Sequence, residues 1–204
     1  MSHTASPPRP ETLAVTEVAN NCTSTLGDCH VNIPPTKKIV CITGTVRTGS
    51  RSAPRRMLVR EGLLRPIWFT TGRPVSDAQF EIISTADYHL AQADSEVLAH
   101  MKHGGDFVGI LKQDFEDAAI GAQVGVLVAG FPEIVAQIAK AFPQAVVFAL
   151  KEQSMELSDH LGEAARSGQL HRLDVDVLAP GTWSDVHQTI LRTLGLPLHQ
   201  PHPF

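Results

Sequence analysis

The chain reads as an α/β protein whose parallel sheet is covered by helices on both faces, and three observations predict this. Runs such as Lys38–Thr43 and Val124–Gly130 are apolar throughout, without the polar alternation of a half-exposed strand. Segments of about 10–15 residues with apolar positions at helical spacing lie between such runs. Glycine or proline marks junctions, as at Gly44 and Pro143.

Taken in order, Lys38-Ile-Val-Cys-Ile-Thr43 predicts a strand that stops at Gly44. Ala53–Leu64 carries Met57, Leu58, Leu63 and Leu64 at helical offsets, with Pro54 tolerated near the start of a helix. Pro66–Thr71 predicts a strand, Leu111–Ala122 a helix and Val124–Gly130 a buried strand. Ile134, Val135, Ile138 and Phe142 share one face of a helix over Phe131–Phe142. Ala145–Leu150 (strand), Ser154–Ser167 (helix), Leu170–Leu178 (strand) and Ser184–Leu194 (helix) complete the pattern.

The outer segments differ. Residues 1–36 hold Pro7, Pro8, Pro10, Pro34 and Pro35 around a polar stretch without periodicity, and predict a flexible or loosely docked tail. Residues 197–204 form a second proline-rich end, leaving one domain over residues 37–196. The chain has 204 residues, 43% hydrophobic and 19% charged, which excludes wholesale disorder and suffices for a core without disulfide or metal staples. Its longest apolar run is a strand's length, so no membrane span is expected. The N-terminus lacks a charged-then-apolar signal, so the expected compartment is the cytoplasm. A net charge of −4 disfavours a general nucleic-acid binder.

The junction after the first strand is the most informative segment. Gly44-Thr45-Val46-Arg47-Thr48-Gly49-Ser50-Arg51-Ser52 has G-x-x-x-x-G spacing ahead of a helix. Such glycines let successive backbone N–H groups and the helix's positive end converge on an anion, the geometry of a phosphate-binding loop. The usual Lys and Ser/Thr that follow are here Ser50 and Arg51. Arg51 offers a planar fork in place of a compact ammonium, and Ser50 or Ser52 a hydroxyl. Spacing alone fits equally a glycine turn that binds nothing. Between Lys37 and Arg73, however, lie nine of the chain's 17 Lys and Arg residues, with Glu61 the one acidic residue. That run predicts a phosphate-rich ligand near Arg47, Arg51 and Arg73; Arg55, Arg56 and Arg60 fit a solvated helix face as well.

With these residues in view, the chain resembles the guanylate kinase family. A strand, glycine loop, helix and strand lead to Thr70-Thr71-Gly72-Arg73-Pro74, similar to the Thr-Thr-Arg-x-Pro that opens that family's acceptor-nucleotide insertion. Phe80-Glu-Ile-Ile-Ser84 resembles its Tyr-x-Phe-Val-Ser, Glu96-Val-Leu-Ala-His100 its Glu-Phe-Leu-Glu-Trp, and Gly105-Asp-Phe-Val-Gly109 its Gly-Asn-Tyr-Tyr-Gly. Val126-Leu-Val-Ala-Gly130 is similar to a strand end of the related ribose 1,5-bisphosphate phosphokinases. The resemblance spans about residues 37–195 and implies a P-loop NTPase-like three-layer sandwich with a small acceptor-binding insertion at about 72–110. It further implies ATP and Mg as cofactors, Gly44–Ser52 as the phosphate-binding loop, and acceptor contacts from Thr71, Arg73, Phe80, His100 and His103. Arg51 and Arg73 are the implied catalytic groups.

Departures from the family pattern gather at the chemistry. The loop lysine is Ser50, and the family arginine falls on Gly72 unless the turn shifts to Arg73. The phosphate-holding tyrosines are Phe80 and Val108, the guanine-reading carboxylate is Ala99, and a hydroxyl becomes Ile110. Val128-Ala-Gly130 lacks the Asp-x-Asp of the central strand, and one arginine, Arg166, remains in the lid. Phosphoryl transfer rests on positioning and charge cancellation, so these losses argue against guanylate kinase activity. The reading is a degenerate kinase-like protein that binds a nucleotide or small phosphorylated molecule, with transfer to an acceptor other than GMP. The alternative is a pseudoenzyme serving as a protein-interaction module; an RNA or polyanion binder using Arg47–Arg73 is the third.

Remaining candidates are weaker. His100 and His103 have a chelating spacing with Asp106 nearby, but such histidines more often line a strand edge or replace lost acceptor-site groups, and no metal site is predicted. Asp174 and Asp176 share a strand face, Asp114, Glu116 and Asp117 suit an outer helix face, and Cys41 suits a core. Cys22 and Cys29 could pair with each other or bind a metal with His30, for which three ligands on a flexible tail are weak evidence.

Overall fold

The computed structural model describes residues 31–44, 53–73, 80–151, 158–176, 179 and 181–198. Strand β1 (Lys38–Gly44) is central in a five-stranded sheet, between β7 (Gly125–Ala129) and β8 (Val146–Lys151). Edge strands β2 (Leu63–Leu64) and β9 (Leu170–Asp174) give the order β2-β7-β1-β8-β9, and every pairing is parallel. The predicted fold class is what the chain adopts.

Strand alternation builds two cores. Ile39 and Cys41 of β1, Val126 and Val128 of β7, and Val147 and Ala149 of β8 face one layer. That layer is α3 (Lys112–Gly121), α4 (Pro132–Ala141) and α5 (Gly162–Arg166), through Phe115, Ile134, Val135, Ile138 and Ala164. Val40, Ile42, Leu127, Phe148 and Leu150 face the other, α1 (Ala53–Arg60) and α6 (Thr182–Leu194), through Leu58, Val186, Ile190 and Leu191. Being buried on both sides, these strands read as continuous apolar runs. Phe115 and Phe142 stack at 5.1 Å and 6° between α3 and the end of α4; such pairs contribute about 0.5–1.5 kcal/mol beyond area burial.

A second, four-stranded sheet has the order β4-β3-β6-β5, from β3 (Trp68–Thr70), β4 (Phe80–Ile82), β5 (Val97–His103) and β6 (Asp106–Leu111). Helix α2 (Thr85–Ala93) packs on it, capped by Ser84, whose hydroxyl accepts from the Asp87 N–H at 3.0 Å.

Several boundaries differ from expectation, for local reasons. The helix expected over Ala53–Leu64 ends at Arg60, because Gly62 takes a φ of +84° and turns the chain so that Leu63 pairs beside Gly125. The strand expected at Pro66–Thr71 forms as Trp68–Thr70 but joins the second sheet. Of the expected helix Ser154–Ser167, the described part is a 3₁₀ turn, Asp159–Leu161, followed by α5. Strand β9 ends at Asp174, opposite the last residue of β8, rather than at Leu178. Val31 and Ile33, from the stretch expected to be flexible or loosely docked, pack on the first core, and the Asn32 N–H donates to Glu116 Oε1 at 2.7 Å.

Candidate functional site

In an open parallel sheet, ligands gather where neighbouring strands send their chains to opposite faces. Strand β1 leads into α1 on one face, while β7 leads into α4 on the other, so the crevice opens at the carboxyl ends of β1 and β7. Their ends are joined directly, Gly130 N–H donating to Ile42 O at 3.0 Å. Gly44, the first residue of the glycine loop, sits at this mouth. Thr45, Arg47, Thr48, Gly49, Ser50, Arg51 and Ser52 lie outside the described residues, as does Pro74.

Thr43, one residue before the loop, is 1% exposed, and its Oγ1 is buried without a hydrogen-bond partner among the described residues. A buried hydroxyl left unpaired costs about 1–3 kcal/mol. No pattern in the sequence singled out Thr43.

The basic run does not form one patch. Lys37 donates its ammonium to the Ala122 and Gln123 carbonyls at the end of α3, and Lys38 opens β1. Both therefore stand at the amino-terminal edge of the sheet, about 20 Å from the loop at a strand's rise per residue. On α1, Leu58 is buried while Arg56 and Arg60 are exposed, the solvated-face arrangement.

Strand alternation sorts the acceptor-side candidates. Trp68, Ala99, Val108 and Ile110 belong to the first core, so their face of the small sheet looks toward the main sheet. Phe80 packs against that core and meets Trp68 edge-on at 6.2 Å. The positions where the resemblance expects polar contacts to an acceptor base or phosphate, at 80, 99, 108 and 110, are thus apolar packing. Trp68 sits over Gly130, whose added Cβ would lie 2.5 Å from its Cη2. Beside it the end of β7 offers Ala129 and Gly130, and no carboxylate to support a metal.

His100 and His103, three apart on one strand, point to opposite faces. His103 lies on the crevice side, its ring 5.2 Å from Phe131 at the start of α4. His100 lies under α2, where the hydroxyl of Tyr88 is 2.5 Å from its Nδ1. Tyr88 is 1% exposed and stacks on Phe107 at 4.1 Å; burial pushes its phenol pKa up, which keeps it a hydrogen-bond donor. The His100 backbone is held by Gln137 of α4, which accepts from its N–H at 3.1 Å and donates to its carbonyl at 2.7 Å. The role of Tyr88 was invisible in spacing, although it is the chain's single tyrosine.

Thr71 closes the end of β3: its N–H donates to Phe107 O at 3.0 Å and its Oγ1 accepts from Phe107 N–H at 2.9 Å. Arg73, two residues on, is exposed. Between them, Gly72 donates its N–H to Thr70 Oγ1 at 3.2 Å, and a Cβ there would fall 1.9 Å from Asp106 Oδ2. Asp106 is half-buried and faces His103 across a two-glycine turn in which Gly104 and Gly105 have φ of +60° and +101°. Glu133 on α4 pairs with His160 at 3.5 Å. Among the described residues, no three His, Cys, Asp or Glu side chains converge as metal ligands, and no helix is long and apolar enough to cross a membrane. Cys41 is buried in β1, its thiol pKa pushed up to about 12 by desolvation.

No protein-family model matches the chain, and no curated protein does. Among solved structures it is similar to the crystal structure of guanylate kinase from Anaplasma phagocytophilum, with a TM-score of 0.52 at 14% identity. The match covers 79% of this chain and 87% of that one. The chain therefore shares the α/β fold of that guanylate kinase, with Gly44 at the carboxyl end of its central strand.

Proposed function

We propose that this protein binds a nucleotide through the loop Gly44–Ser52 and transfers phosphate from ATP to a small phosphorylated acceptor other than GMP. The observation that carries the reading is the place of Gly44: a G-x-x-x-x-G segment begins at the carboxyl end of the central strand, at the point where β1 and β7 diverge to opposite faces. The unpaired Thr43 hydroxyl beside it supports the same location. In this reading Arg47, Arg51 and Ser52 hold donor phosphates, and the Arg73 guanidinium holds the acceptor phosphate by a bidentate grip. ATP supplies the transferred group. With Ala129 and Gly130 at the end of β7, Mg would rest on the phosphates and a loop hydroxyl, Ser50 or Ser52, without a supporting carboxylate. Guanine is disfavoured because Phe80, Ala99, Val108 and Ile110 present no hydrogen bond to its edge.

Thermal denaturation with ATP, with and without Mg, tests the reading, because a ligand that binds only the folded state stabilises it by about 2.7 kcal/mol at a hundredfold excess over Kd. A shift that Mg enhances, and that grows in Ser50→Lys, is the expected result. No shift with any nucleotide overturns it. The apolar filling at positions 80, 99, 108 and 110 also supports a second reading, a protein-interaction module without catalysis. Under that reading nucleotides leave Tm unchanged, Ser50→Lys included.

A further inference from the structure

We propose that the Tyr88–His100 contact is a pH-sensitive latch: when His100 takes up a proton at mildly acidic pH, helix α2 leaves the small sheet. The contact lies on the sheet face turned away from the crevice, since Ala99 and Met101 on either side of His100 pack toward the first core. Helix α2 has nine residues, and Tyr88 is its one buried side chain. A helix that short is marginal by itself, so its hold on the sheet rests chiefly on that side chain. The Tyr88 ring stacks on Phe107 at 4.1 Å and tilts on Phe69 at 5.7 Å. Gly109, opposite His100 in the register, leaves the room that Phe69 fills, because a Cβ there would stand 2.7 Å from the Phe69 ring. This seat is polar at one point, where the Tyr88 hydroxyl is 2.5 Å from His100 Nδ1. The hydroxyl has no other partner among the described residues, so its hydrogen goes to Nδ1, which accepts it as part of a neutral imidazole.

Protonation turns Nδ1 into a donor and strands the Tyr88 hydrogen in a buried place. The new cation also meets no compensating charge. Lys102, two residues on along the same strand face, holds its ammonium 5.9 Å from the Phe107 ring. From α2 come His89, its ring 5.0 Å from that of Tyr88, and the exposed Asp87, whose carboxylate accepts from Ser84 Oγ at 2.6 Å. Strands β3 and β6 present Phe69, Phe107 and Gly109, none of them charged. Helix α4 presents Gln137, flanked one turn away by the exposed Lys140 and by Glu133, which pairs with His160. Among the described residues no carboxylate lies within ion-pair distance of His100. The released state therefore holds one more proton than the seated one. Seating is complete above the range in which imidazole titrates and is lost as pH falls through it. Gln137 grips main-chain atoms only, so β5 keeps its place when α2 leaves.

The chain has one tyrosine, so 3-fluorotyrosine incorporated into the full chain labels position 88 alone. Fluorine NMR should show one seated signal at about pH 7.5 and a second, solvent-exposed signal growing as pH falls through about 6.5. In hydrogen exchange of the unlabelled chain, α2 amides should lose protection about tenfold per pH unit below that point, the slope for one proton taken up on release. Strands β1, β7 and β8 should keep theirs. His100→Asn puts an uncharged acceptor near the Nδ1 position, so α2 should stay seated down to about pH 5, whereas His89→Asn should retain the wild-type profile. Wild-type protection of α2 that does not change with pH overturns the proposal, as does a loss shared equally by β1, β7 and β8. A fall that persists in His100→Asn, or vanishes in His89→Asn, overturns it too. Should His100→Asn leave α2 unseated at every pH, the wild-type imidazole decides: its own NMR titration must coincide with the loss of α2 protection, and a separate midpoint refutes the latch.

Discussion

Gly130→Ala tests the joint between the two sheets. The new Cβ would stand 2.5 Å from Trp68 Cη2 and 3.0 Å from Cζ2, about 1 Å inside ordinary contact. Trp68 is 6% exposed and braced by Phe80, so the indole has little room to yield. Gly130 is fixed from below by its bond to Ile42. Inserting a methyl into such packing costs about 1–3 kcal/mol, and a domain of this size loses roughly 2–4 °C in Tm per kcal/mol. Urea and thermal denaturation by circular dichroism measure the loss directly. Trp68→Phe removes the atoms that collide, so adding Gly130→Ala to it should cost less than adding it to wild type. Equal stability of Gly130→Ala and wild type, or strict additivity in the double variant, would refute the packing argument.

Three other outcomes are expected. Asp114 has its pKa raised by burial, then by Glu81 and Asp117; the folded state therefore holds its proton more tightly, and stability falls as pH rises through that window. Asp114→Asn should be the more stable form at neutral pH, with the advantage disappearing below the ordinary aspartate range; a pH-independent difference would count against it. In a Cys22→Ser, Cys29→Ser background, Cys41 should resist thiol reagents in the native state, because a pKa of about 12 leaves roughly one thiolate in ten thousand at pH 8; native-state labelling as fast as labelling in denaturant would contradict this. Thr43→Val should raise stability by about 1 kcal/mol, since it removes an unpaired buried hydroxyl at nearly constant shape; a loss read by urea denaturation would show that the hydroxyl has a partner.

The main sheet was legible because strands buried on both faces leave an unambiguous run, as in Ile39–Ile42 and Val126–Val128. Short pieces were not. Leu63 and Leu64 continue the apolar offsets of Leu58, and only the positive φ at Gly62 separates strand from helix. Trp68–Thr70 looks like any buried strand, because partner choice is set by distant residues such as Gly109 and Val108. At the site, counting charges overstated the basic patch: a residue run ignores that a seven-residue strand carries Lys37 and Lys38 to the opposite edge. The histidine pair illustrates the same point from alternation, since a spacing of three on a strand splits two side chains between faces. Asp106 had one readable signal, the Gly104-Gly105 dipeptide that sets His103 opposite it; its approach to Gly72 depends on tertiary contact alone.

Gln137 fastens the small sheet to helix α4 by gripping main-chain atoms of β5 rather than a side chain. A fastening of that kind does not care which amino acid occupies position 100. Mutational drift can therefore rewrite that residue, and with it the chemistry beneath α2, while the bracket between the two layers stays in register. The same glutamine amide also reaches back to the Glu133 carbonyl of its own helix at 3.2 Å, so the cost of orienting it is borne within α4. One side chain on the large layer thereby holds the smaller one in place whatever side chain position 100 carries.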